Sequence, residues 1–134
     1  MITDKELMRL AAEARKKSYS PYSEFSVGAA LLSKDGKIYT GCNIENATFT
    51  PTVCAERTAF FKAVSEGVTR FEKIAIVGGR HGETSPFCAP CGVCRQVMAE
   101  FCDKDFSVLL GNENDFKTYR LDELLPFSFE KTEL

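Results

Sequence analysis

Three of the six cysteines fall where thiols can do chemistry. Cys54 opens one apolar-periodic stretch, and Cys91 and Cys94 stand three apart at the start of another. Residues at i and i+3 share a helix face. If the two helix N-termini meet beside a sheet, the three sulfurs converge on one point, and the positive ends of both helix dipoles favour thiolates there. That describes a zinc site. Structural zinc takes four protein ligands, whereas three leave a coordination position open to water, whose pKa the metal lowers toward ~7, so the ligand count points to catalysis. Glu56 lies two residues after Cys54, within the first helical turn, where its carboxylate reaches across the site as a proton carrier rather than a ligand.

Taken singly, these residues have plainer readings. Free cysteine packs well as a small buried residue, and an acid in a first helical turn is favoured whether or not it does chemistry. Their coincidence argues for the site. Cys88-x-x-Cys91-x-x-Cys94 also looks like the start of an iron–sulfur run, which would next want a cysteine at position 98 and then a proline. Met98 and Ala99 occupy those places, so Cys88 is read, with Cys42 and Cys102, as a free thiol. His81 is the only histidine and reads as an exposed loop residue between Arg80 and Gly82, without a role.

The elements that must hold these groups follow from periodicity. Thr3 and Glu6 fit a capping box, with Ile2 and Leu7 as a hydrophobic staple, so a first helix is predicted over residues 4–17 with Leu7, Leu10, Ala11 and Ala14 as its buried stripe. Residues 25–32 read as a strand, Lys34-Asp35-Gly36-Lys37 as a hairpin turn, and 38–43 as the returning antiparallel strand. A second helix is predicted over 54–66, stopped by Gly67, and a buried strand over 74–77, before Gly78-Gly79. A third helix over 91–101 leads to a strand over 107–110, an order that implies a parallel pair with a right-handed crossover. A strand over 116–120 and a helical turn over 121–125 finish the core, leaving a tail after Pro126. The class is α/β, with helices on a mixed sheet.

Composition narrows the function further. A length of 134 residues suits one domain, expected to span 1–134, and 44% apolar residues suffice for a packed core. Seventeen basic against nineteen acidic residues offer no footprint for a phosphate backbone, so no nucleic acid partner is expected. No apolar run approaches the ~20 residues of a membrane span, and Asp4 and Glu6 stand where a secretory leader would be basic and then apolar. The expectation is a cytoplasmic protein with no membrane partner, in which cysteines serve as ligands or thiols rather than disulfides.

Cys54-Ala55-Glu56 followed by Pro90-Cys91-Gly92-Val93-Cys94 has the Cys-x-Glu and Pro-Cys-x-x-Cys arrangement of the zinc deaminases. With the runs Pro21-Tyr22-Ser23-Glu24-Phe25-Ser26-Val27-Gly28, Gly41-Cys42-Asn43-Ile44-Glu45-Asn46-Ala47, Cys94-Arg95-Gln96-Val97 and Leu124-Leu125-Pro126, the chain resembles the cytidine deaminase family, in particular its small homotetrameric branch. The resemblance covers nearly the whole chain. It implies a three-layer cytidine-deaminase-like fold, a mixed five-stranded sheet with helices on both faces. It also implies one Zn²⁺ per chain on Cys54, Cys91 and Cys94, with Glu56 catalytic. The implied reaction is hydrolysis of cytidine and deoxycytidine to uridine and deoxyuridine plus ammonia, as in pyrimidine salvage. Asn43 and Glu45 would take the ribose hydroxyls and Phe25 would lie against the base, with Ala55 also on the substrate. Phe129 would arrive from a neighbouring subunit of a homotetramer with shared active sites.

Physical chemistry agrees with those roles. An amide and a carboxylate together satisfy a hydroxyl, and a ring gives a pyrimidine a stacking surface. Three thiolates leave Zn²⁺ with a net negative charge, which Arg57 is placed to offset by donating to cysteine sulfur. Phe49 where a tyrosine is usual, Ala89 where a serine is usual, and an unusual stretch over 48–53 containing Pro51 depart from the family pattern. Competing readings are a deaminase of another aminopyrimidine, such as a blasticidin-type antibiotic, and a non-catalytic zinc protein. A nucleic-acid-editing deaminase or RNA-binding module is disfavoured by the acidic balance.

Overall fold

The computed structural model describes residues 1–134. Helix α1 (Asp4–Arg15) starts at Thr3, whose side-chain oxygen accepts the Glu6 N–H at 3.1 Å. Only half of the expected capping box forms, because the Glu6 carboxylate takes the Thr3 hydroxyl proton at 3.0 Å. The buried stripe is Leu7, Met8 and Ala11, while Leu10 and Ala14 are half-buried. Met8 replaces them because α1 lies over the middle of the sheet, which buries the side chains on both sides of Leu7.

Strands β1 (Phe25–Ser33) and β2 (Ile38–Cys42) form the predicted hairpin around Gly36, whose φ of +93° is open to glycine at no steric cost. Helix α2 (Ala55–Ser65) follows, then β3 (Phe71–Arg80), α3 (Gly92–Phe101), β4 (Ser107–Asn112), β5 (Asp115–Arg120) and the single turn α4 (Leu121–Leu124). The strand order is β2-β1-β3-β4-β5. Every pair is antiparallel except β3 with β4, which α3 joins as a parallel crossover. This is the mixed five-stranded sheet that was expected.

The central strands are buried on both faces, as a sheet covered on two sides must be. Alternate residues separate the layers: Ala29, Leu31, Ile74 and Ile76 meet Phe60 of α2 and Met98 of α3, whereas Ala30, Leu32, Ala75 and Val77 meet Leu7, Met8 and Ala11 of α1. Three layers result.

Strand β3 runs past the point where Gly78-Gly79 suggested a stop, pairing Gly78 with Val27 and Gly79 with Ser26. These glycines serve close approach rather than chain reversal. A Cβ on Gly78 would sit 2.5 Å from the Cys88 sulfur, and one on Gly79 would sit 2.5 Å from the Glu83 carbonyl oxygen. Gly28 does the same for α1, since a Cβ there would lie 2.0 Å from the Ala11 carbonyl oxygen and 2.4 Å from the Arg15 nitrogen. Both obstacles are backbone, so neither can swing aside. Gly28→Ala is expected to lift α1 from the sheet and cost about 3 kcal/mol or more of stability, read as a lower urea midpoint at unchanged slope.

Candidate active site

Cys54 and Cys91 are the N-cap residues of α2 and α3 rather than their first helical residues. Each has extended backbone while its carbonyl already accepts the first helical bond, from Thr58 at 3.1 Å and from Arg95 at 3.0 Å. Neither side chain caps its own helix, so both sulfurs are free to point at a common centre. Cys94 lies one turn into α3, fully buried. The Cys54 and Cys91 sulfurs are 3.6 Å apart, those of Cys91 and Cys94 3.4 Å, and all three lie within 4.8 Å of one another.

This geometry passes the test for zinc. A tetrahedral ion with Zn–S bonds of ~2.3 Å places its sulfurs ~3.8 Å apart; Cys91 stands within a few tenths of an ångström of that spacing from both Cys54 and Cys94, and the third pair lies within 4.8 Å. Arg57 donates from Nη2 to the Cys54 sulfur at 3.5 Å. Hydrogen bonding within the trio, with Cys94 above all, and then with Arg57, pulls the Cys54 thiol down to about 5, against the cost of burial. Cys94 moves the opposite way through the same contact. Arg57 is held more firmly protonated, chiefly by its bond to Cys54.

Glu56 is only 4% exposed. Burial pushes its carboxyl up to about 7, negative charge on Cys54 adds to the rise, and its own backbone N–H and Arg57 oppose it. A carboxyl poised there can both take and give a proton near neutrality. Cys88 lies outside the trio, half-buried in the hollow over Gly78, and burial pushes its thiol up to about 11. All six cysteines are free.

The segment carrying Asn43 and Glu45 is bonded directly to the segment that leads into Cys54. Ile44 donates to the Val53 carbonyl at 3.0 Å and Val53 returns the bond at 2.9 Å, one residue before Cys54. On its other side the segment pairs with Tyr19. Asn43 Oδ1 accepts from the Val27 N–H at 2.8 Å and the Ser18 hydroxyl at 2.5 Å, and Nδ2 donates to the Phe25 carbonyl at 2.8 Å. Glu45 accepts from the N–H groups of Tyr22 and Ser23 at 2.9 and 3.1 Å, and from the Ser23 hydroxyl at 2.5 Å. Phe25 thus begins β1 beside Asn43, half-buried, and Ala55 is buried at the first position of α2. Phe129 is exposed in the tail, its carbonyl held by Gln96 of α3 at 2.7 Å. Phe49 has a positive φ of 67° and is exposed, edge-on to Tyr22.

Two supporting arginines escaped the sequence reading. Arg15, in the last turn of α1, donates to the Ser26 carbonyl at 2.9 Å, the Thr84 hydroxyl at 3.2 Å and the Arg80 carbonyl at 2.8 Å, and also to the Glu83 carbonyl. It clamps the start of the long loop that delivers Cys91. Arg95 donates to the Pro90 carbonyl at 2.8 Å and to the Leu124 carbonyl at 2.5 Å. An arginine among apolar helical positions was the available signal, but its partners could not be read from it.

Three thiols and a buried carboxyl gathered at two helix N-termini make a candidate hydrolytic metal centre. A family model described as the cytidine and deoxycytidylate deaminase zinc-binding region matches residues 1–110. The chain is 50% identical over 130 residues to a cytidine deaminase of Sporosarcina psychrophila, covering 96% of this chain and 93% of that one. It is 51% identical over 124 residues to a cytidine deaminase of Halalkalibacterium halodurans, covering 92% and 91%. The crystal structure of cytidine deaminase from Burkholderia pseudomallei superposes with a TM-score of 0.86 at 45% identity, covering 96% of this chain and all of that one. The chain belongs to the cytidine deaminase family.

Metal analysis of the purified protein should find about one zinc per chain. Alanine at Cys54, Cys91 or Cys94 should abolish that retention, whereas Cys88→Ala should leave it intact. An iron chromophore would contradict the assignment.

Proposed function

We infer that this chain, acting as one deaminase domain, hydrolyses cytidine and deoxycytidine to uridine and deoxyuridine, releasing ammonia. The observation that carries this is the trio Cys54, Cys91 and Cys94 within 4.8 Å, beside the buried carboxyl of Glu56, in a member of this family. Relatives about half identical are cytidine deaminases, which favours this reading over a blasticidin-type substrate and over a non-catalytic zinc protein. No helix is long and apolar enough to cross a membrane. Free thiols at all six cysteines support the reducing cytoplasm as the place of action.

Zinc on the three sulfurs, one ion per chain, would supply the Lewis acid that makes an attacking water acidic at neutral pH. The remaining work falls to side chains of this chain. Glu56 takes the proton from the attacking water and passes it to ring atom N3 of the pyrimidine, then takes the remaining proton of the hydroxyl now on the 4-carbon and gives it to the 4-amino nitrogen, which leaves as ammonia while the 4-carbonyl forms. Its raised proton affinity suits both directions of transfer. Arg57 offsets the excess negative charge of the thiolates. Asn43 and Glu45, already fixed by their internal bonds, present their remaining capacity to the ribose hydroxyls. Phe25 and Ala55 bound the base.

Glu56→Gln keeps shape and removes the titratable proton. It should retain fold, zinc and nucleoside affinity while kcat for cytidine falls by ~10²–10⁴ or more. A variant that holds its zinc and turns over within about tenfold of the parent would remove Glu56 from the mechanism.

A homotetramer with shared sites is part of the same reading, motivated by Phe129, an exposed ring in the tail tethered to α3. Exposed aromatics that complete a partner's pocket are strong anchors. Phe129→Ala is expected to raise KM for cytidine by about tenfold with little change in kcat, measured beside the oligomeric state by light scattering. Monomers with full activity at assay concentration would contradict it.

A further inference from the structure

We propose that His81 is a positioning residue, the donor end of a hydrogen-bond relay through Ser20 and Ser18 that fixes the side-chain amide of Asn43. The proposal rests on the reading of Asn43 as a nucleoside contact. The relay is short: His81 Nε2 lies 2.8 Å from Ser20 Oγ, Ser20 Oγ 3.0 Å from Ser18 Oγ, and Ser18 Oγ 2.5 Å from Asn43 Oδ1. Ser20 is buried, so its hydroxyl has no water to turn to.

The direction of every bond can be deduced by counting protons. Asn43 Oδ1 is identified as the oxygen because the Val27 N–H points at it, while Nδ2 faces the Phe25 carbonyl. Two oxygens 2.5 Å apart need a proton between them, and the amide oxygen has none, so Ser18 donates to Asn43. Ser18 has no second proton. The Ser20–Ser18 contact must therefore carry the Ser20 proton, which leaves Ser20 Oγ only able to accept from His81. His81 consequently bears its proton on Nε2.

The chain of donors ends at Asn43 with its oxygen occupied by two donors and one N–H given to Phe25. One amide N–H is left over, and it is the only group this side chain can offer a ligand. A flipped amide would set its NH₂ against the Val27 N–H and its oxygen against the Phe25 carbonyl, so the orientation is strongly determined. His81 is itself braced, since its backbone N–H donates to the Glu24 carbonyl at 2.9 Å and Arg15 holds the preceding carbonyl, that of Arg80, at 2.8 Å. The lone loop histidine thus reaches the proposed sugar-binding amide across a sequence separation of 61 residues to Ser20.

Two measurements on the zinc-loaded protein test this. The chain has a single histidine, so ¹H–¹⁵N correlation spectra of its ring need no assignment by mutation. They should show the proton on Nε2 at neutral pH. A neutral ring protonated on Nδ1, with Nε2 bare, would overturn the relay. Kinetically, His81→Leu should raise KM for cytidine about threefold to tenfold, the worth of one lost hydrogen bond, with kcat within about twofold. His81→Gln, whose amide N–H can reach the Nε2 position, should restore KM. An unaltered KM in His81→Leu, with KM raised in Asn43→Ala, would overturn the positioning role. An unaltered KM in Asn43→Ala would overturn instead the reading of Asn43 as a nucleoside contact, and the role of His81 in binding with it.

Discussion

The separation between the Cys54 and Cys91 sulfurs is the constraint on which the rest of the structure depends. The two thiols are 37 residues apart in the chain and belong to different helices, yet they stand 3.6 Å from one another. A tetrahedral ion tolerates errors of only about 0.2 Å in its bonds. Neither helix cap can deliver that alone. Helix α2 is seated by β2, where a Cβ on Gly41 would lie 2.5 Å from the Ala55 carbonyl, so the helix start lies directly on the strand. Helix α3 is brought to the same sheet end because β3 and β4 are parallel and a parallel pair needs a crossover. Sheet order, glycine placement and strand direction all converge on one sulfur–sulfur distance.

A second coupling follows from the reciprocal bonds between Ile44 and Val53. They make the segment bearing Asn43 and Glu45 and the segment ending in Cys54 one rigid unit. Both of the proposed sugar contacts also have most of their hydrogen-bond capacity committed within the protein before any ligand arrives. Preorganisation of this kind reduces the ordering that binding must impose. The thiol that opens α2 and the proposed sugar contacts are then held by one frame rather than by independent loops.

What was legible in the sequence was local. Helices and strands were placed within a few residues because their apolar periods and caps depend on neighbours in the chain, and the three thiols that the fold gathers stood out by their spacing. Beyond the meeting of the thiols and the parallel strand pair, long-range contacts were not legible. Gly78-Gly79 looked like a strand end because glycine weakens strands, but Cys88 and Glu83 fold back over that stretch and need the missing side chains. Met8 gave no sign that α1 would sit centrally. Arg15 reaches partners up to 69 residues away, and His81 reaches Ser20 from a loop that periodicity treats as surface. Polar side chains carry several donors or acceptors each, and only the folded chain shows which are used.

Charge explains why the site needs its particular neighbours. Three thiolates outweigh a divalent ion by one negative charge, and such a centre would be a weak Lewis acid and a poor companion for a carboxylate. The Arg57 guanidinium lies 3.5 Å from the Cys54 sulfur, where it would offset that charge at its source. A lysine could not do so equivalently, because its compact ammonium lacks the rigid planar fork of donors that a guanidinium presents. Its buried Nε has no partner of its own, so the side chain is held by the sulfur contact rather than by a competing acceptor. Burial is already the largest influence on the Glu56 carboxyl and lifts it to about 7, and with thiolate charge balanced in this way it would be the main one left. A carboxyl governed by burial instead of a fixed neighbouring charge would keep similar proton affinity as charge moves across the substrate, which a single group needs if it is to accept two protons in turn and deliver both.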